Sequence, residues 1–198
     1  RSPAGKTCNV GLSTLQKKYH PTHKILTMAS ALKNLSAYND ADLPSAAEMS
    51  FGIAVADWNA HITHSLYEGC VETLLKHGVS ADNIHTMQVP GSFELPTACR
   101  LLIGSEKMDV VIALGCVIQG ETSHNEYINH AVANGLVQLS LATGIPCIFG
   151  VLTPNTEQQA LDRAGGVHGN KGVEAAVTAI RMAALKKEAG SPKKRIGF

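Results

Sequence analysis

The run at residues 109–118, DVVIALGCVI, constrains this chain more than any other segment. Beyond its first residue it carries no charge, and it is apolar at odd and even positions alike. A strand that is apolar on both faces needs cover on both, as inside a parallel sheet flanked by helices. Three further segments read as strands: 51–56 (FGIAVA), 84–89 (IHTMQV, stopped by Pro90-Gly91) and 145–152 (IPCIFGVL). Between them the apolar period lengthens. Ile62, Leu66, Val71, Leu74 and Leu75 recur at helical spacing as far as Gly78. Residues 93–103 read as a helix, with Pro96 tolerated near its start. A long helix over 124–143 closes at Gly144, and 157–164 and 171–187 give two more.

Strand and helix therefore alternate, which predicts an α/β fold: a three-layer sandwich around a four-stranded parallel sheet. Right-handed crossovers narrow the topology to a flavodoxin-like order, 2-1-3-4. The length of 198 residues suits one domain, and 44% hydrophobic with 17% charged residues suits a folded one. Lys and Arg number 17 against 16 for Asp and Glu, so nothing in the charge points to a nucleic-acid partner. No apolar run is long enough to cross a bilayer, so no membrane partner is expected. The five cysteines are scattered without a CxxC, which fits reduced, buried thiols.

Residues 1–50 differ from the rest. Their first acidic residue is Asp40, and no apolar period is sustained, so they are expected to form a largely disordered extension. Residues 1–27 admit two readings. A basic, acid-free start resembles a transit peptide, which would place the protein in a plastid. A non-native leader ahead of Met28 would leave it cytoplasmic, and the opening arginine favours that reading. The folded domain is expected over 51–189, followed by a basic tail at 190–198.

The helix over 124–143 is apolar nearly all round, through Tyr127, Ile128, Val132, Leu136, Val137 and Leu141. A small domain has little to cover such a helix on its outer side, so contact with another copy is expected.

In this topology a ligand binds beyond the carboxyl ends of the strands, where strand order reverses. The loops that meet there hold Trp58-Asn59, Ser92-Phe93-Glu94 and Gly120-Glu121-Thr122-Ser123-His124, with Arg163 further on. Trp58 offers a flat face to a planar heterocycle, or packs at a strand end. The loop 120–124 runs into a helix and can receive an anion; the plainer alternative is a helix capped by Thr122 or Ser123. Arg163 can complete an anion site, and His124 can move a proton near neutral pH. Glu94 can accept from hydroxyl groups. Lys171 opens the last helix against the helix dipole, which suggests a ligand, although pairing with Glu174 would also account for it. No histidine pair has a convincing metal spacing.

Taken together, six motifs are in register: Trp58-Asn59; 90–96 (PGSFELP); 115–124 (GCVIQGETSH); 149–153 (FGVLT); Arg163-Ala164-Gly165; and 169–172 (GNKG). From about residue 51 to 185 the chain resembles the lumazine synthases of riboflavin biosynthesis. The resemblance implies a cofactor-free, metal-free condensation of two small molecules, a ribitylamino-pyrimidinedione and a butanone phosphate. It implies that Trp58 stacks on the heterocycle, that Asn59 beside it is also substrate-binding, and that Ser92, Phe93 and Glu94 hold the ribityl chain and ring edge. Val117 and Ile118 would line the ring pocket. Gly120, Glu121, Thr122, Ser123 and Arg163 would surround phosphate, with His124 as the catalytic proton shuttle and Lys171 on a pyrimidine carbonyl. Phe149 would be a wall donated by a neighbouring subunit, because the family forms pentamers and in some members sixty-subunit capsids. Three rivals are a riboflavin synthase of the archaeal kind, a non-catalytic flavin-binding or shell protein, and a flavodoxin-like regulator. Arg163 with the 120–123 loop speaks against the first, and His124 together with Arg163 against the second. Asp57 stands unaccompanied, against the third.

Overall fold

The computed structural model describes Asn34 and residues 36–190. Within them β1 (Phe51–Ala56), β2 (Ile84–Val89), β3 (Val110–Cys116) and β4 (Cys147–Leu152) form one sheet in the order β2-β1-β3-β4, parallel throughout. This is the order expected from sequence. Every residue of the inner strands β1 and β3 is buried, whereas the edge strands β2 and β4 are partly exposed.

Helices α1 (Ala60–Lys76) and α5 (Lys171–Gly190) cover one face, and α2 (Leu95–Ser105) and α3 (His124–Thr143) cover the other. A short α4 (Glu157–Asp162) follows β4. Side-chain alternation divides the core. Phe51, Ile53, Ile112 and Leu114 pack with Ile62, Leu66 and Ile180, while Ala54, Val111 and Ala113 pack with Leu95, Ala98 and Leu136. Burial of each large apolar side chain contributes about 1.5–3 kcal/mol. The small residues on the α2–α3 side let those helices approach the sheet closely. Gly172 serves α1–α5 packing in the same way, since a Cβ there would fall on the Leu66 carbonyl oxygen.

Several element ends depart from expectation. The 93–103 helix begins at Leu95, after a 3-10 turn over Ser92–Glu94, with Pro96 in its first turn where a missing N–H costs nothing. The 145–152 strand begins at Cys147, just after Pro146, which has no N–H for the ladder. The 157–164 helix stops at Asp162, and a small antiparallel hairpin, β5 (Ala164–Gly166) with β6 (Gly169–Asn170), takes over. Gly165 (φ 114°) and Gly169 (φ 85°) supply the left-handed backbone it needs. The last helix runs on to Gly190.

The domain boundary expected at residue 50 also moves. Ala46 and Met49 are buried in the α1–α5 side of the core, and a 3-10 turn over Asp40–Asp42 precedes them. The Tyr38 hydroxyl bonds with His77 Nε2 at 3.1 Å, and the Ser36 hydroxyl donates to the Asn170 carbonyl at 2.9 Å. This stretch lies along the surface and inserts few apolar side chains, so it leaves no period in the sequence. The expectations for residues 1–33 and 191–198 lie outside the described residues.

Only Val132 and Leu136 of α3 are buried, while Tyr127 (74%), Val137 (52%) and Leu141 (82%) are exposed on the chain alone. No helix among the described residues is long and apolar enough to cross a membrane.

Candidate active site

All four strands point the same way, so their carboxyl ends share one rim, and hydrogen bonds tie those ends together. The Asp57 and Trp58 amides donate to the Val89 and Pro90 carbonyls at 2.8 and 3.1 Å, extending the β1–β2 pairing. The Val117 and Gln119 amides donate to the Leu152 and Pro154 carbonyls at 2.8 and 2.9 Å, extending β3–β4. Asn59 joins the two pairs, its side-chain amide donating to the Cys116 carbonyl at 3.1 Å. Its backbone is left-handed (φ 61°, ψ 46°), a conformation that asparagine tolerates better than most residues.

Around β1, β2 and β3 the rim presents aromatic faces. Trp58 is 72% exposed and Phe93 59% exposed. Next to Phe93 in the chain, Ser92 is buried, its hydroxyl without a partner among the described residues and lying over Gly115, where any Cβ would strike it. Glu94 is half-buried on the same turn, Val117 is buried and Ile118 half-buried. A flat aromatic surface beside hydroxyl and carboxylate acceptors can hold a planar ring that carries a polyol.

At the end of β4 a cavity of about 310 Å³ is lined by Thr153, Pro154, Gln159, Arg163 and Lys171, among others. The β5–β6 hairpin brings the two cations together, with the Lys171 amide donating to the Arg163 carbonyl at 2.8 Å. Arg163 Nη1 lies 2.8 Å from Glu174 Oε1 and also donates to the His168 carbonyl at 3.1 Å. Lys171 Nζ lies 3.2 Å from Glu174 Oε2. Asn170 fixes the turn: its side chain donates to the Ser65 carbonyl at 2.8 Å and accepts from the Gly172 amide at 2.8 Å.

The loop 120–124 lies between these two groups of residues. Gly120, Glu121, Thr122, Ser123 and His124 are all exposed. The capping expected of Thr122 or Ser123 does not form: Ser123 occupies the cap position of α3 without a side-chain hydrogen bond. The backbone amides of residues 120–123 have no hydrogen-bond partner among the described residues, and the loop is exposed, so an anion can meet them there.

The rim thus gathers Trp58, Asn59, Ser92, Phe93, Glu94, Val117 and Ile118 on one side, and Arg163 with Lys171 on the other. No hydrogen bond joins Arg163 to the 120–124 loop, although the Gln119–Pro154 bond seats the base of that loop beside the cavity. Phe149 stands apart. It lies three positions before the end of the edge strand β4 and is 37% exposed. The pairing of Lys171 with Glu174 does form, and it does not replace the ligand reading, because Lys171 lines the cavity as well. The Glu174 bridge to Arg163 and the place of Gln159 in the cavity wall go beyond the sequence reading. The only sequence signal was the three-residue spacing between Lys171 and Glu174.

The thiol nearest the rim is Cys116, which burial pushes up to about 12, so it is no nucleophile at neutral pH. Among the described residues no three His, Cys, Asp or Glu side chains come together as a metal site.

Comparison with known proteins decides the family. The model of 6,7-dimethyl-8-ribityllumazine synthase matches residues 48–187. The chain belongs to the lumazine synthase family. It is 51% identical over 160 residues to the lumazine synthase of Porphyromonas gingivalis, covering 81% of this chain and 99% of that one. Against the lumazine synthase of Cytophaga hutchinsonii it is 52% identical over 157 residues, covering 79% and 98%. Against that of Flavobacterium psychrophilum it is 49% identical over 162 residues, covering 82% and 86%. The lumazine synthase match takes in the whole rim, from Trp58 to Glu174.

Proposed function

We propose that this chain condenses 5-amino-6-(D-ribitylamino)uracil with 3,4-dihydroxy-2-butanone 4-phosphate to give 6,7-dimethyl-8-ribityllumazine. The reaction is a transferase step of riboflavin biosynthesis. The pyrimidine amine adds to the ketone and water leaves, giving an imine. Phosphate is then eliminated. The elimination takes the proton from the hydroxyl-bearing carbon and leaves an enol there, which tautomerises to a new carbonyl. The ribityl-bearing nitrogen closes the ring on it, and a second water departs.

The observation that carries this reading is the rim itself, in a chain of this family: a tryptophan plate at one end and a paired Arg163 and Lys171 at the other. Trp58 stacks on the pyrimidine, with Asn59, Val117 and Ile118 around the ring. Ser92, Phe93 and Glu94 hold the ribityl chain; the unpartnered Ser92 hydroxyl and the Glu94 carboxylate suit hydroxyl groups. Arg163, the open amides of 120–123 and the Thr122 and Ser123 hydroxyls bind phosphate. Lys171 meets a pyrimidine carbonyl. His124 takes up and returns protons during imine formation and elimination. Holding both substrates in reacting geometry supplies most of the acceleration, and proton transfer supplies a smaller share.

The working form is a homo-oligomer, a pentamer that in some relatives builds a sixty-subunit capsid. The exposed apolar face of α3 and the outward Phe149 support this, since both are surfaces that a second copy would cover. Phe149 then closes the ring pocket of the adjacent subunit.

The test is to mix the protein with both substrates and follow the lumazine chromophore by absorbance. Formation well above the spontaneous rate and dependent on both substrates is expected. A folded protein that gives no acceleration overturns the reading. Sedimentation equilibrium, with a mass of five chains or a multiple of five, tests the assembly.

A further inference from the structure

Glu174 stands behind the cavity and contacts both of its cations. Its carboxylate is divided: Oε1 lies 2.8 Å from Arg163 Nη1, and Oε2 lies 3.2 Å from Lys171 Nζ. The side chain is only 19% exposed and lies in the first turn of α5, and among the described residues these two cations are its only ion-pair partners. Glu174 does not line the cavity. Arg163 Nη1 is occupied twice, by Glu174 and by the His168 carbonyl, while Nη2 and Nε have no partner among the described residues. That is the arrangement needed to present one edge of a guanidinium to an anion while the other is held fast. The carboxylate also offsets the mutual repulsion of two cations held beside one cavity.

We propose that Glu174 is the positioning residue of the site, one carboxylate setting the aim of the phosphate-binding Arg163 and the pyrimidine-binding Lys171 together. The inference rests on the synthase reading above, because it takes the two ligand roles from there. Glu174 touches neither substrate and acts only through the two cations. Its loss therefore weakens capture of both substrates at once, whereas loss of Arg163 or of Lys171 weakens capture of one.

The experiment compares the full-length chain with Glu174→Gln and Glu174→Asp, determining kcat and the KM of each substrate separately, with unfolding midpoints alongside. Glu174→Gln keeps the shape and removes the charge. It is expected to raise both KM values about tenfold, the scale of a lost charge-assisted hydrogen bond, while kcat moves much less. Glu174→Asp keeps the charge on an arm one carbon shorter, which cannot reach both cations. It is expected to restore one KM and leave the other raised. A merely structural role would lower the unfolding midpoint and leave both KM values in place; that result overturns the proposal. If Glu174→Gln does not fold, Glu174→Asp decides alone: two unchanged KM values overturn the proposal, and one raised KM supports it. An inactive wild-type chain sinks the synthase reading instead, so the two failures are distinguishable.

Discussion

The side-chain amide of Asn59 reaches 3.1 Å to the backbone carbonyl of Cys116, fixing the residue next to Trp58 to the last residue of β3. The aromatic plate is thereby held from the sheet and not only from its own loop. Asn59→Ala loses this bond and places a less tolerant residue in a left-handed backbone. The expected cost is about 2 kcal/mol, read from denaturant midpoints. Asn59→Gly keeps the backbone and should recover about half of that loss. If the two variants unfold alike, strain at Asn59 is not part of the cost.

His124→Ala should slow turnover by roughly 10²–10⁴ and leave a measurable rate, since proximity remains when proton transfer is removed. Steady-state assays with both substrates saturating give the figure. Turnover abolished outright, with both substrates still bound, would show that the histidine does more than move protons.

Arg163→Ala should act chiefly on the KM of the phosphate substrate, with a much smaller effect on the pyrimidine. Inorganic phosphate, used as a competitive inhibitor, should lose potency in parallel. Saturation behaviour identical to the wild type would remove Arg163 from the phosphate site.

Gly172→Ala should damage the fold, because the added methyl falls on the Leu66 carbonyl where α5 crosses α1. The expected loss is about 3 kcal/mol, or no soluble protein at all. Gly190→Ala is the control: nothing lies within 4 Å of a Cβ there, so its unfolding midpoint should stay in place.

Alkylation separates thiol chemistry from this mechanism. Burial pushes the Cys147 thiol up to about 11 and Cys116 to about 12, and raises Cys70 and Cys99 as well. A raised thiol pKa means less thiolate, so these four stay protonated across pH 6–9 and gain reactivity only as pH climbs well beyond it. Iodoacetamide at pH 7.5 should leave turnover unchanged, as checked by assay and by mass spectrometry of the native protein.

The sheet was legible because β1 and β3 are buried on both faces and β2 ends at Pro90-Gly91, signals that lie within single segments. The rim residues were legible for a related reason: parallel topology dictates that whatever follows a strand meets at one end. What could not be read depends on contacts between distant segments. Ala46 and Met49 enter the core from a stretch without periodicity. The β5–β6 hairpin has only glycines to announce it. Glu174 looks like a routine helix partner for Lys171 until the hairpin brings Arg163 to its other oxygen.

The parallel sheet has one more consequence. α1, α2 and α3 each follow a strand, so each begins at the rim, and α5 begins there too with Lys171 in the cavity wall. Their peptide dipoles all present the positive end to the same place. With formal charges nearly balanced at +1, these helix ends give the rim a local positive potential in a chain that is close to neutral as a whole. Such a field fades within a turn of helix, so it does little to draw a distant anion in. Its effect falls instead on an anion already at the rim, whose stay it would lengthen.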